Sequence, residues 1–232
     1  MKKSLSIIVP VYNEEKTIGS AIREITSFAK DEKLDYEIII VDSASTDKTE
    51  KVSRLLVNKF KKVKYIRQKV RKGFGNGLKE GYDNAKLDYI IFVDADLPYD
   101  LKNIKKAYPY LGEYDLILGY KSGKRENILR WLMSFFYNLS MKLAFNVNYK
   151  DFNYSYKIIK RPAIKRLDLE SDGWFISPEI ILKAHHGGLK IKEIHVPFRP
   201  RTGGESKVSN YYKTISYFIK EIHRFRKKFR GK

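Results

Sequence analysis

Apolar runs and helix-periodic stretches alternate along the first half of the chain. "SLSIIVPVY" (4–12) is a near-continuous apolar run, as a strand buried on both faces requires. "EEKTIGSAIREITSFAK" (14–30) then places Ile18, Ile22 and Ile25 at helical spacing, with Ala21 and Phe28 extending the stripe. "YEIIIVD" (36–42) predicts a second strand, and "SASTDKTEKVSRLLVNKF" (43–60) opens on capping residues and continues as a helix carrying Val52, Leu55, Leu56 and Phe60. "VKYIRQ" reads as a short third strand, and "KGFGNGLKEGYDNAK" (72–86) as a glycine-rich turn into a helix. "DYIIFVDAD" (88–96) and "DLILGYK" (115–121) complete the predicted strands of this half. Such alternation predicts parallel βαβ units, an α/β fold whose ligands bind beyond the carboxyl ends of the strands.

The second half is less regular. "NILRWLMSFFYNLSMKLAF" (127–145) predicts a helix with Ile128, Leu132, Phe135, Phe136, Leu139 and Leu143 on one broad face, flanked by Lys121, Lys124, Arg125, Arg130 and Lys142. "PEIILKAHHGGLKIKEIHVPFRPR" (178–201) reads as helix, Gly-Gly turn and strand. The tail (210–232) spaces Tyr211, Ile215, Phe218, Ile222, Phe225 and Phe229 as a second amphipathic stripe, and seven of its last thirteen residues are Lys or Arg. No internal repeat or low-complexity linker interrupts the chain.

With 232 residues and 43% hydrophobic content, the chain suits one large domain with a basic helical appendage. It has no cysteine, which excludes disulfides and thiolate metal sites. The apolar start is short, broken by Ser6 and Pro10 and followed by Glu14 and Glu15, so it reads as a buried strand and not as a signal peptide. No window predicts a transmembrane helix. The net charge of +20 bears on partners: nucleic acid, an anionic membrane face or phosphorylated small molecules.

Candidate chemistry gathers at predicted strand ends. Asp94 and Asp96 stand at i and i+2, on one side of a strand, and two adjacent carboxylates repel unless a cation sits with them. Hard oxygens suit Mg²⁺ or Mn²⁺, which complete their shells with water and phosphate, so the pair predicts a metal-bound diphosphate; the ordinary alternative is a solvated loop. In "VPVYNEE", Tyr12 suits stacking on a planar base, while Asn13 and Glu14 either bond a base edge or cap the next helix. Asp42 ends the second strand where an acid can bond a base or ribose, and Ser43 to Asp47 suit helix capping. "GFGNG" matches neither a P-loop nor G-x-G-x-x-G; beside Arg71 and Lys72 it reads either as a diphosphate contact or as a tight turn. His185 and His186 are adjacent and share no helix face, which argues against a metal site.

Taken in order, "IIVPVYNEE", "IIIVDSASTD", "RKGFGNGLKEG", "FVDADLPYDLKNI", "LILGYKSG", "DFNYSYKIIKR" and "EIILKAHHGGLKIKEIHVPFRPRTGGESKV" resemble a family-2 glycosyltransferase of GT-A fold. Within it, the chain is similar to the dolichyl-phosphate mannose synthase and polyprenyl-phosphate glycosyltransferase group. The resemblance covers roughly residues 4 to 208. It implies a mostly parallel, Rossmann-like sheet flanked by helices, with amphipathic interfacial helices. The catalytic domain would span 1–208, its nucleotide half about 1–120 and its acceptor half about 121–208, followed by the basic helix 209–232. Pro10, Tyr12, Glu14 and Asp42 would hold the nucleoside. Asp94, Ala95 and Asp96 would meet the donor diphosphate, with the metal on Asp94 and Asp96. Arg201 and Lys207 would close over the phosphates. Lys121, Arg130 and Ser134 match positions near an acceptor phosphate, and Asp151 an acid near the reacting sugar. Asp96, Asp151 and Arg201 are thus the catalytic candidates.

The resemblance implies inverting transfer of a hexose, with GDP-mannose as the favoured donor, onto a dolichyl or polyprenyl phosphate at an anionic membrane surface. The enzyme would be cytoplasmic and peripherally bound. UDP-glucose as donor, or a non-lipid acceptor, is the alternative. A nucleic-acid-binding module is the remote alternative; the tail has the charge and aromatics for it, but no recognition motif accompanies them, and no nucleic-acid partner is expected. Departures stand out at three places. Ser43 and Ala44 replace the usual Asp-Gly after Asp42. Pro98 stands where a polar residue often helps hold the metal. Tyr154 and Ser155 depart from the usual Ser-Gly-Phe pattern, which bears on acceptor or sugar specificity.

Overall fold

The computed structural model describes residues 4–121, 128–199 and 211–229, with the backbone alone at 129, 130 and 211–213. Among them run strands β1 (Ser4–Val11), β2 (Asp35–Asp42), β3 (Val63–Arg67), β4 (Tyr89–Phe92), β5 (Leu116–Tyr120), β6 (Lys157–Lys160) and β7 (Ile191–His195). The helices are α1 (Ile18–Asp31), α2 (Thr49–Lys59), α3 (Phe74–Asn84), α4 (Ile128–Phe145), α5 (Arg161–Arg166), α6 (Ile176–His186) and α7 (Tyr211–Phe229), with a 3₁₀ segment over Leu101–Tyr110.

The strands form one seven-stranded sheet in the order β3-β2-β1-β4-β6-β5-β7. β1 pairs in parallel with both β2 and β4, β2 with β3, and β5 with β7. β6 runs antiparallel between β4 and β5. The chain leaves β1 toward β2 and β3, then returns to place β4 on the other side of β1. That reversal opens a crevice at the carboxyl ends of β1 and β4, where doubly wound sheets bind ligands.

Both faces of the sheet are covered, and the strand sequences show why. Ile7, Val9, Ile38 and Ile40 pack with α1, α2 and the 3₁₀ segment, while the alternating Ile8, Ile39 and Val41 pack with α3, α6 and the rest of the second half. A two-residue period with both faces apolar gives the continuous runs seen in the sequence. α3 lies close to β1: a Cβ on Gly81 would come within 2.5 Å of Ile8 Cγ2.

The structure corrects several sequence expectations. β4 ends at Phe92, so Asp94 and Asp96 lie in a turn closed by the Leu97 N–H donating to Asp94 O (3.0 Å), not on the strand. Residues 43–48 form a loop, because α2 starts at Thr49. β6, α5 and the 3₁₀ segment were not expected; each is short or carries lysines and a proline that hide its periodicity.

The tail stripe packs on the domain. Phe225 is buried against Phe175, with ring centroids 5.0 Å apart, and Phe229 stacks on His186 at 4.3 Å. Lys228 pairs with Glu170, which also meets Lys183 at 2.7 Å. Of the predicted stripe, Ile215 stays exposed, and Ile219 beside it. α4 behaves differently. Met141 and Phe145 anchor it to the core, while Ile128, Trp131, Leu132, Phe135, Phe136, Leu139 and Leu143 face solvent. No helix among the described residues is long and apolar enough to cross a membrane.

Candidate active site

The loops after β1 and β2 are laced together by backbone and side-chain bonds. Ser43 N–H donates to Val11 O, Asn13 N–H to Ser45 Oγ (2.9 Å), and Thr46 N–H to Asn13 Oδ1 (2.8 Å). Glu14 N–H donates to Thr49 Oγ1 (2.8 Å), Glu15 N–H to Asp47 Oδ2 (3.2 Å), and Lys48 N–H to Glu15 Oε2 (2.9 Å). Asn13 therefore ties two loops together and does not cap α1, whose cap position is Thr17. Its backbone sits at φ 53°, a left-handed conformation that Asn tolerates well. Asp47 does act at the start of α2, accepting from Thr49 N–H (2.9 Å).

Asp42 lies fully buried beneath this lacing. Its carboxylate accepts from Ser45 N–H (2.8 Å), Tyr65 Oη (2.6 Å) and Arg67 Nη1 (3.1 Å). Burial of Tyr65, and then the Asp42 carboxylate bonded to it, push the phenol's pKa upward. Asp42 thus fixes the 43–46 loop from beneath. The Arg71 guanidinium lies over the Tyr12 ring, 3.8 Å from its centroid. That ring is the face expected to receive a base, and a guanidinium is a good planar occupant of it.

Asp94 and Asp96 are each partly exposed, whereas Ala95 and Leu97 are buried. Both acids therefore reach the surface in part at the end of β4, with the Asp96 Oδ1 atom itself buried. Leu97 adopts φ 47°, a strained conformation for a branched side chain at the foot of this turn. Pro98 is buried, and its carbonyl accepts from Arg199 N–H (2.8 Å), docking the chain that leads toward Arg201. Tyr99 is fully buried between Tyr154 and Tyr156, at centroid distances of 6.0 and 5.1 Å. Burial above all, with the nearby Asp94 carboxylate adding to it, pushes its phenol's pKa upward.

The donor set fits a divalent cation of an open type. Two carboxylates supply hard oxygens, and no cluster of three or more His, Cys, Asp or Glu forms among the described residues. A cation here would complete its shell with phosphate and water, as Mg²⁺ commonly does. Asp94 and Asp96 would hold it.

The residues expected near an acceptor come from the second half. Asp151 is 6% exposed, and its Oδ1 accepts from the N–H groups of Asn153 and Tyr154, both at 3.1 Å. Ser134 is partly buried on α4, and Asn138, one turn on, donates to Ser134 O (2.9 Å) while its Oδ1 accepts from Phe152 N–H (3.1 Å). The Lys121 ammonium lies 5.3 Å from the Tyr154 ring centroid and 5.4 Å from that of Phe198. Arg201 and Lys207 lie outside the described residues, as do Lys124, Arg125 and the Arg130 side chain.

Sequence reasoning missed Asn138, Lys157 and Tyr99. Asn138 and Lys157 offered one signal, a polar residue within an apolar stretch; Tyr99 offered none. The glycine motif serves packing. A Cβ on Gly73 or Gly75 would come within 2.3 or 2.2 Å of the Asp172 or Ser171 carbonyl oxygen, so these glycines let α3 begin against the 171–173 loop. The tight-turn reading of "GFGNG" accounts for what the structure shows.

The family model described as Glycosyl transferase family 2 matches residues 6–168, and the chain belongs to that family. It is 25% identical over 219 residues to glycosyltransferase AglD of Haloferax volcanii, covering 88% of this chain and 34% of that protein. It is 28% identical over 233 residues to the dolichol-phosphate mannosyltransferase of Pyrococcus furiosus, covering 96% of this chain and 64% of the relative. It is 26% identical over 243 residues to a dolichyl-phosphate beta-glucosyltransferase of Dictyostelium discoideum, covering 96% and 73%. The chain thus spans about a third of the first relative's length and just under two thirds of the second's. Among solved structures, glucosyl-3-phosphoglycerate synthase from Mycobacterium tuberculosis, in complex with Mn²⁺, UDP and glucosyl-3-phosphoglycerate, superposes with a TM-score of 0.67. The identity is 20%, over 95% of this chain and 77% of that one, a likeness of fold.

Proposed function

We propose that this family-2 glycosyltransferase moves a hexose from a nucleotide sugar onto a dolichyl or polyprenyl phosphate, working at an anionic membrane surface. One observation carries the reading: the two acids at the β4 end lie beside the laced nucleotide loops, and α4, tied to the Asp151 segment through Asn138, turns an apolar face to solvent. Relatives named as dolichol-phosphate mannosyltransferase and dolichyl-phosphate beta-glucosyltransferase support the acceptor class.

Pro10, Tyr12 and Glu14 would border the nucleoside, beside the loop that Asp42 fixes. Asp94, Ala95 and Asp96 would face the diphosphate, and a bound Mg²⁺ or Mn²⁺ would neutralise charge on the leaving phosphates. Arg201 and Lys207 would add cationic donors to the same oxygens. Lys121, Arg130 and Ser134 would hold the acceptor phosphate. An oxygen of that phosphate attacks the anomeric carbon, and the bond to the diphosphate breaks with its electron pair leaving on the nucleotide. Direct displacement inverts the anomeric centre. The attacking oxygen is already anionic near neutral pH, so no strong base is needed, and Asp151 would orient the reactants.

α4 would rest on the membrane through Trp131, Phe135 and Phe136, with the protein's basic excess drawing it to anionic lipid at the cytoplasmic face. GDP-mannose is the favoured donor. UDP-glucose is the second reading, supported by the glucosyltransferase relative and by the UDP-bound neighbour of like fold.

Calorimetry with GDP-mannose and UDP-glucose, with and without Mn²⁺, on wild type and Asp96→Ala tests the reading. Metal-dependent binding of one donor is expected, with the variant losing on the order of 100-fold, since the cation that would neutralise the diphosphate loses one of its two carboxylate ligands. Binding of neither donor by the folded wild type would overturn it.

A further inference from the structure

β6 runs against its neighbours, so it enters the sheet at the edge where β4 and β5 finish. Its first residue, Lys157, pairs with Leu118 of β5 and is 3% exposed. The ammonium donates to Tyr154 O (2.5 Å), Ser177 Oγ (2.6 Å) and Phe152 O (3.3 Å). All three acceptors are neutral. Two belong to the segment that starts at Asp151, and the third to the first turn of α6. A cation buried on neutral acceptors is a costly way to fill space in a core.

The charged groups around it come from three elements. Asp151 lies in the same segment, Asp94 follows β4, and Lys121 follows β5. Ser177 of α6 and Asn138 of α4 complete the ties on the segment and are uncharged. Burial lowers the Lys157 pKa to about 7, while Asp151 and Asp94 raise it and Lys121 adds to the lowering. The lysine therefore changes charge near neutral pH, at the acceptor end of the crevice.

We infer that Lys157 is a positioning residue for the transfer: its ammonium clips residues 152–154 to α6 and so holds Asp151 and the Tyr154 ring at the acceptor end of the site. The inference rests on the transferase reading above, and it assigns the clip to a residue that touches no substrate. Without the ammonium, the Phe152 and Tyr154 carbonyls lose their buried donor, and the Asp151 turn loses the base on which it is built. The loops after β1 and β2 are built from other elements and stay intact.

The test uses the full chain as wild type, Lys157→Met and Lys157→Arg. Amide hydrogen exchange reads the clip directly, whether or not a substrate has been found. In Lys157→Met, the Asn153 and Tyr154 amides should exchange about tenfold faster or more, with the β1 and β2 amides unchanged, and Lys157→Arg should recover part of that protection. Transfer to polyprenyl phosphate reads the consequence. kcat should fall on the order of 100-fold in Lys157→Met, as misplacement of a reacting partner does, with KM for the donor within a few-fold. Wild-type kcat should fall above pH 7 and the limb should move upward in Lys157→Arg, because arginine stays charged. Wild-type exchange and kcat in Lys157→Met would overturn the inference. If Lys157→Met does not fold, an alkaline limb that does not move in Lys157→Arg would overturn it. A wild type that transfers to no acceptor refutes the transferase reading alone, and the exchange arm still decides whether Lys157 holds the segment.

Discussion

Ala44 shows how one residue records the demands of its loop. It sits at φ 59° in the bend that returns Ser45 N–H to Asp42 Oδ1. Left-handed backbone costs a non-glycine residue about 1–2 kcal/mol, and glycine loses more chain entropy on folding, by about 0.5–1 kcal/mol. Ala44→Gly should therefore stabilise the protein by about 0.5 kcal/mol and raise Tm by about 1–2 °C in a thermal melt. A lower Tm would mean that the alanine methyl packs usefully enough to outweigh its strain. At this scale the sequence singled out Asp42, Asp94, Asp96 and Asn13, because an acid or amide closing an apolar run has few ordinary uses, and the family resemblance added Asp151. It was silent on partners. Whether Asp42 faces a ligand or a neighbour depends on Tyr65 and Arg67, which lie on β3 and reach it only across the parallel pairing of β2 with β3.

Among the elements, α4 and α7 looked alike in sequence and have different surroundings. Both carry an aromatic stripe and basic flanks. α7 spends its stripe on the core through Phe225 and Phe229, whereas α4 leaves Trp131 and Phe135 stacked in solvent at 5.8 Å, with Phe136 beside them. Replacing Trp131, Phe135 and Phe136 together with alanine should weaken co-sedimentation with anionic liposomes by about 100-fold, as about 1 kcal/mol of apolar transfer is lost at each half-exposed ring. Melting should change little, because these rings contribute little to the core. Undiminished co-sedimentation would place the membrane contact elsewhere. Periodicity could not separate the two helices: it reports that a face is apolar, and the neighbour that covers it comes from distant parts of the chain. The same holds for β6, where Lys157 and Lys160 bracket two isoleucines and the strand exists only because β4 and β5 leave a place for it.

At the scale of the whole molecule, the charge of +20 acts with the apolar face of α4. Binding to vesicles carrying phosphatidylserine should fall steeply as salt rises from about 0.05 to 0.5 M, since the Debye length shrinks below 10 Å beyond about 0.1 M. Vesicles of neutral lipid should bind more weakly at every salt concentration. A salt-independent partition would assign the attachment to apolar contacts alone. The α/β class, the positions of the parallel strands, the acids at their ends and the cationic balance were determined by the sequence itself. Each follows from local periodicity, from composition or from the ending of one run. Only the tertiary structure decided that the acid pair stands in a turn at the β1–β4 reversal, that the glycines serve packing, that α7 belongs to the core, and that a lysine is buried beneath the Asp151 segment. Those outcomes depend on which distant segments come to lie together, and a linear pattern carries no record of its neighbours across the sheet.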